Sequence, residues 1–208
     1  MKKQVLVTGA NKGIGYEIAR HLGKSGWQYV NLADNGEIEV SAREIAEKYP
    51  GLSLLVNNAG IPGDMSVRSY EQSLQDVIDT VQVNYIGTFY LTKLLLPLLE
   101  KNQGRICNIT VPSTFSPYWH PMAYVASKAG QNTMIATMGW EFDHFHVPVE
   151  AFTIHPGATS TDLNGHYDGP GSHQPDVIGQ KVAEIINDGK RHNGEFIELY
   201  PIVDEGNY

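Results

Sequence analysis

The feature that most constrains this chain is a glycine-rich turn set between a short apolar run and an amphipathic helix. Residues 4–7 read Gln-Val-Leu-Val, and Thr8, Gly9, Ala10, Asn11, Lys12, Gly13, Ile14 and Gly15 follow at once. Ile14, Ile18, Ala19 and Leu22 then recur at helical spacing. Gly9 permits a sharp turn off the strand, Gly13 admits a pyrophosphate close to the backbone, and Gly15 lets the helix pack tightly. The unpaired N–H groups at the start of the helix favour an anion. Strand, glycine turn and helix in this order predict a dinucleotide site, where a bare turn would need only the glycines.

Beyond the turn, strand and helix signals alternate. Residues 29–33 predict a second strand, 40–48 a short helix stopped by Pro50 and Gly51, and 52–56 a strand apolar throughout. Such a strand suits a parallel sheet covered on both faces. A long helix is predicted over 73–99, a strand over 105–110 and a helix over 122–142. A strand over 149–154, a helix over 176–187 and a strand over 195–199 complete the pattern. The alternation predicts an α/β fold, a Rossmann-like doubly wound parallel sheet. The length of 208 residues predicts a single domain over 1–208.

Composition narrows the function classes. A formal charge of −8 argues against a nucleic-acid surface. The longest apolar run, 94–99, is interrupted by Pro97 and is far too short for a membrane span. Lys2 and Lys3 imitate the start of a signal peptide, but Thr8 and Gly9 end the apolar stretch early. A cytoplasmic location is expected. Cys107 is the single cysteine, so no internal disulfide is expected, and its apolar setting predicts a buried strand residue. His144 and His146 lie near Glu141 and Asp143, but no further ligands cluster at zinc-site spacing, so no metal is expected.

Tyr124 and Lys128 are the candidate chemical pair. Four residues apart on a helix, they share a face. A lysine cation beside a phenol stabilises the phenolate and is expected to lower its pKa from about 10. The phenol then becomes usable in acid–base catalysis.

Together these motifs resemble the short-chain dehydrogenase/reductase family, most closely its carbonyl-reductase-like branch. The glycine turn matches the family's Thr-Gly-x3-Gly-x-Gly motif, and Asn57, Asn58, Ala59 and Gly60 match its Asn-Asn-Ala-Gly turn. Asn84 matches its catalytic asparagine, Tyr124 and Lys128 its catalytic pair, and Pro156, Gly157, Thr159 and Thr161 its Pro-Gly segment. The resemblance implies NADP or NAD as cofactor, bound by Gly9, Asn11, Lys12, Gly13, Ile14, Gly15, Asn58, Ala59, Gly60, Tyr124, Lys128, Pro156, Gly157, Thr159 and Thr161. It further implies that Lys128 binds the nicotinamide ribose and that Asn84 holds a water relaying protons to Lys128. Asp34 stands where an acid would hydrogen-bond an NAD ribose, unless it caps a helix. Lys12 stands where a basic residue would meet the NADP phosphate, unless it is a solvated loop charge. Between them NADP is favoured.

Two departures from the family stand out. Between Gly15 and Asn57 there is room for one βα unit, not the usual two; roughly 30 residues are missing. A six-stranded sheet in the order 2-1-3-4-5-6 is therefore expected instead of seven strands. The family's catalytic serine position holds Val111, which cannot donate a hydrogen bond to a carbonyl oxygen. Ser113 is the first substitute, Thr114 the second, and Thr110 a third that needs a shifted register.

The expected activity is hydride transfer between the nicotinamide and a small or medium carbonyl compound or secondary alcohol. The segment 163–175 is expected to cover the substrate, with Phe115, Tyr118 and Trp119 as an apolar wall or as plain packing. The resemblance implies that the helices starting at Ser73 and Met122 pair across a two-fold axis, and their surplus of apolar residues agrees, so a homodimer or homotetramer is expected. The alternative is a weakly active or non-catalytic nucleotide-binding sensor or scaffold, supported by Val111 and the missing βα unit.

Overall fold

The computed structural model describes residues 4–23, 30–113 and 121–200. Among the described residues, five parallel strands form one sheet in the order β1-β2-β3-β4-β5. They are β1 (Gln4–Val7), β2 (Leu52–Asn57), β3 (Arg105–Ile109), β4 (Glu150–His155) and β5 (Phe196–Glu198). The α-helices of the described residues are α1 (Gly13–His21), α2 (Asn35–Lys48), α3 (Leu74–Val81), α4 (Thr88–Lys101), α5 (Met122–His144) and α6 (Pro175–Ile186).

Alternation along the strands divides the apolar residues between two faces. Leu55, Ile106 and Ala151 pack with Ile38 and Ile45 of α2, Leu91, Leu95 and Leu99 of α4, and Ile135 and Phe142 of α5. Leu54, Val56, Cys107, Ile109, Phe152 and Ile154 pack with Ile18 of α1 and Ile178, Val182 and Ile186 of α6. Helices α1 and α6 approach closely, because a methyl group on Gly179 would lie 2.4 Å from the Cβ of Glu17. Both faces being covered, the central strands are apolar on both sides.

The sheet corrects the expected sixth strand. Among the described residues, 30–33 form no ladder with β1. Val30 and Leu32 do turn inward onto the core beneath α2 and α4. The backbone is diverted by turn chemistry: Asn31 Oδ1 accepts the Ala33 N–H at 3.1 Å, and Asp34 Oδ1 accepts the Glu37 N–H at 2.9 Å. The Asx turn takes the Ala33 N–H that a strand ladder would have used, and the N-cap starts a helix directly after it. Helix α2 accordingly starts at Asn35 instead of residue 40. Tyr29 lies outside the described residues.

The long helix predicted over 73–99 is three pieces: α3, a π-helical segment Gln82–Gly87, and α4. Ser73 caps its start by accepting the Asp76 N–H at 3.0 Å. The π segment brings its backbone against the 30–33 turn, where a methyl group on Gly87 would lie 2.2 Å from the Leu32 carbonyl oxygen. Among the described residues, no helix is long and apolar enough to cross a membrane.

Candidate active site

The carboxyl ends of β1, β2 and β4 open into a cleft of about 620 Å³, a size typical of ligand sites. Gly9, Asn11, Lys12, Gly13 and Ile14 line one wall, Asn58, Ala59 and Gly60 the floor, and Thr161, Asp162 and Leu163 the opposite wall. Thr8 ties the two strand ends together: its Oγ1 accepts the N–H groups of Asn58 and Ala59, each at 3.0 Å. The glycines are needed where they stand. Gly9 has φ +64, and a side chain there would lie 2.9 Å from the Ala59 Cα. Gly15 lies behind the loop, where a methyl group would lie 2.4 Å from Asn58 Nδ2.

Helix α1 begins at this wall with Lys12 as N-cap, no side-chain cap and no acid in its first turn. Its first N–H groups are thus left for an anion. Glycine cradle, uncapped helix start and cleft volume all fit a dinucleotide.

Tyr124 and Lys128 lie on α5, buried at 6% and 2% exposure. Lys128 Nζ sits 5.7 Å from the centre of the Tyr124 ring and donates to the Ile109 carbonyl at 3.1 Å. It reaches the floor of the cleft, since a methyl group on Gly60 would lie 3.5 Å from it. Burial lowers the Lys128 pKa to about 8. Burial also pushes the Tyr124 phenol upward, which corrects the expected downward shift. Removal from water outweighs the nearby ammonium, whose Nζ is engaged by the Ile109 carbonyl. The phenol is therefore held protonated at neutral pH.

Asn84 lies in the π segment and is fully buried. Its Oδ1 accepts the Ile61 N–H at 2.8 Å, and its Nδ2 donates to the Ile61 carbonyl at 2.9 Å and to Ser127 Oγ at 3.0 Å. Its backbone carbonyl accepts a hydrogen bond from Gln131 Nε2. Asn84 thereby clamps the chain after Gly60 onto the helix that carries Tyr124.

Ser113 lines a second cavity of about 290 Å³ with Pro112, Asn132, Ile135, Thr153 and Phe196. Its Oγ accepts from Asn132 Nδ2 at 3.0 Å, and the same amide donates to the Val111 carbonyl at 2.9 Å. The Thr110 hydroxyl donates to Asn132 Oδ1 at 2.6 Å. Asn132 thus organises the end of β3, a role missed by sequence reasoning. Its spacing, one turn beyond Lys128 on the Tyr124 face, was the available signal. Thr114, Phe115, Tyr118 and Trp119 lie outside the described residues.

Pro156 and Gly157 follow β4, with Gly157 at φ +79 and Thr159 Oγ1 donating to its carbonyl at 3.2 Å. Thr161 faces the glycine loop, its Cγ2 3.5 Å from where a Gly13 side chain would begin. The segment expected to cover the substrate contributes Leu163, His166, Gln174 and Pro175 to the cleft. Asp34 is not among the cleft-lining residues; it caps α2.

Residues 28–169 match the family model for short chain dehydrogenase. The chain belongs to that family. The match holds the Asn-Asn-Ala-Gly turn, Asn84, Tyr124, Lys128 and the Pro-Gly segment. A putative ketoacyl reductase of Streptomyces coelicolor is 32% identical over 76% of this chain and 71% of its own length. Estradiol 17-beta-dehydrogenase 2 of Rattus norvegicus is 28% identical over 88% of this chain, which spans only 55% of that protein. The NADPH-bound carbonyl reductase from chicken fatty liver shares the fold, with a TM-score of 0.82 over 94% of this chain and 95% of that one at 22% identity.

Proposed function

We propose that this short-chain dehydrogenase is an NAD(P)(H)-dependent oxidoreductase for a small or medium carbonyl compound or the matching secondary alcohol, working as a homodimer or larger. One observation carries the reading: Lys128, buried beside Tyr124, lies directly beneath the floor of a glycine-lined cleft, 3.5 Å from where a Gly60 side chain would begin. The names of the relatives, ketoacyl reductase and estradiol dehydrogenase among them, support carbonyl–alcohol chemistry.

Gly9, Gly13 and the start of α1 would hold the pyrophosphate, with Thr161 and Gly60 on either side. A bound reduced nicotinamide supplies the hydride. The residues of the chain manage the proton. Tyr124, kept neutral by burial, donates its phenolic proton to the substrate oxygen as negative charge develops there. Lys128, still an ammonium below about pH 8, stabilises the phenolate left behind. Asn84 ties the Ile61 backbone to Ser127 of α5, the helix that carries the pair.

A second reading, a weakly active or non-catalytic nucleotide binder, is favoured by Val111 and by Ser113 facing a cavity other than the dinucleotide cleft. Titration with NADH and NADPH, followed by nicotinamide fluorescence, separates the readings when a carbonyl panel is then added. Binding with oxidation supports the enzyme. Binding without oxidation across the panel supports the sensor, and no binding rejects both.

A further inference from the structure

Lys12 is the sole lysine or arginine among the described residues lining the cleft, and it is already paired. Its ammonium donates to Asp162 Oδ2 across the cleft mouth. The other oxygen, Asp162 Oδ1, lies 2.7 Å from His166 Nε2. Glu17, the second acid on the lining, is held by Arg20 Nε at 2.6 Å. The bond from Lys12 is the main cause that holds the Asp162 carboxyl below its ordinary pKa, so it stays ionised at neutral pH.

A phosphate group at the mouth of the cleft therefore meets a lysine already neutralised by a carboxylate that also repels the phosphate, while Lys128 lies beneath the floor behind Gly60. We propose that Asp162 is a specificity-determining gate on Lys12: a phosphate oxygen of the nucleotide takes Lys12 from Asp162, while Asp162 stays on His166. This inference rests on the dinucleotide reading above and adds the residue that sets how strongly the phosphate is held. The exchange is easy because both partners are well exposed, at 63% and 49%, and such pairs are weak. The carboxylate keeps a partner throughout. The turn itself is shaped by other groups: Asn164 Oδ1 accepts the Thr161 N–H at 3.0 Å, and the Thr161 carbonyl accepts the His166 N–H at 2.8 Å. Asp162→Asn thus leaves the turn its hydrogen bonds.

The test measures dissociation constants of NADPH and NADH by nicotinamide fluorescence for the wild type, Asp162→Asn, Lys12→Gln and the double variant. Asp162→Asn is expected to tighten binding about two- to fivefold. In the Lys12→Gln background less than half of that gain should remain, a coupling that a merely structural role would not produce. Tightening of NADPH alone assigns Lys12 to the 2′-phosphate; equal tightening of both nucleotides assigns it to the pyrophosphate. Unchanged or weaker binding by Asp162→Asn, or the same gain in both backgrounds, overturns the gate and leaves the dinucleotide reading standing. Failure of all four proteins to bind either nucleotide overturns both.

Discussion

Tyr124 and Lys128 show how burial can dominate a charged neighbour at short range. Both are almost without solvent contact, and the cost of charge in that setting moves the phenol up and the ammonium down. If Tyr124 is the proton donor, Tyr124→Phe should lower turnover by about a hundredfold or more, with nucleotide affinity nearly unchanged. A variant that keeps the wild-type rate would remove Tyr124 from the mechanism. Lys128 makes a separate thermodynamic prediction. Its folded pKa of about 8 lies below the unfolded value of about 10.4. Between those values the unfolded chain holds a proton that the folded chain has released, so this term raises stability as pH rises. Tyr124 acts in the opposite sense above about pH 10, where the unfolded chain ionises first. Urea midpoints for the wild type should therefore climb from about pH 8 to about pH 10 relative to those of Lys128→Met. Parallel curves for the two proteins would show that Lys128 is not the group responsible.

Among the elements, the π segment and the end of β3 carry the most weight. Gly87 allows the helix to touch the Leu32 carbonyl, so Gly87→Ala forces two backbones apart. A loss of ~1–3 kcal/mol is expected, visible as a lower urea midpoint; an unchanged midpoint would mean that the 30–33 turn yields freely. At the end of β3 the family's serine position holds Val111, and Ser113 is the nearest described alternative beyond it. With Ser113 bonded to Asn132 beside the second cavity, Ser113→Ala should change kcat by less than about threefold, whereas Val111→Ser should raise it about tenfold or more. A large loss in Ser113→Ala would instead make Ser113 the hydroxyl that meets the substrate oxygen. Much of the element pattern was legible beforehand, because strands β1 to β5 each follow a short apolar run bounded by turn residues. Residues 30–33 misled for a definite reason. Val30 and Leu32 alternate inward as strand residues do, but the side chains of Asn31 and Asp34 captured the backbone locally. The π segment was illegible, since the groups it packs against and bonds to, Leu32 and Gln131, are remote in sequence.

For the whole molecule, α3 leaves Leu74 75% exposed and Ile78 exposed one turn on, and Ile86 of the π segment and Phe89 of α4 are exposed as well. We propose that a second copy of the chain covers these residues. Light scattering at micromolar concentration should report a dimer or tetramer, and Leu74→Glu with Ile78→Glu should shift it toward monomer; a monomeric wild type would reject the proposal. Periodicity and the order of its short motifs carried the fold class and the family of this chain, because apolar spacing and glycine turns act through neighbours a few residues away. The tertiary structure alone decided the number of strands, the upward shift of Tyr124, the clamp role of Asn84 and the pairing of Lys12 with Asp162. Each of these depends on solvent exclusion or on contacts between segments far apart in the chain. Those quantities come into being only when the sheet and its helices have closed around them.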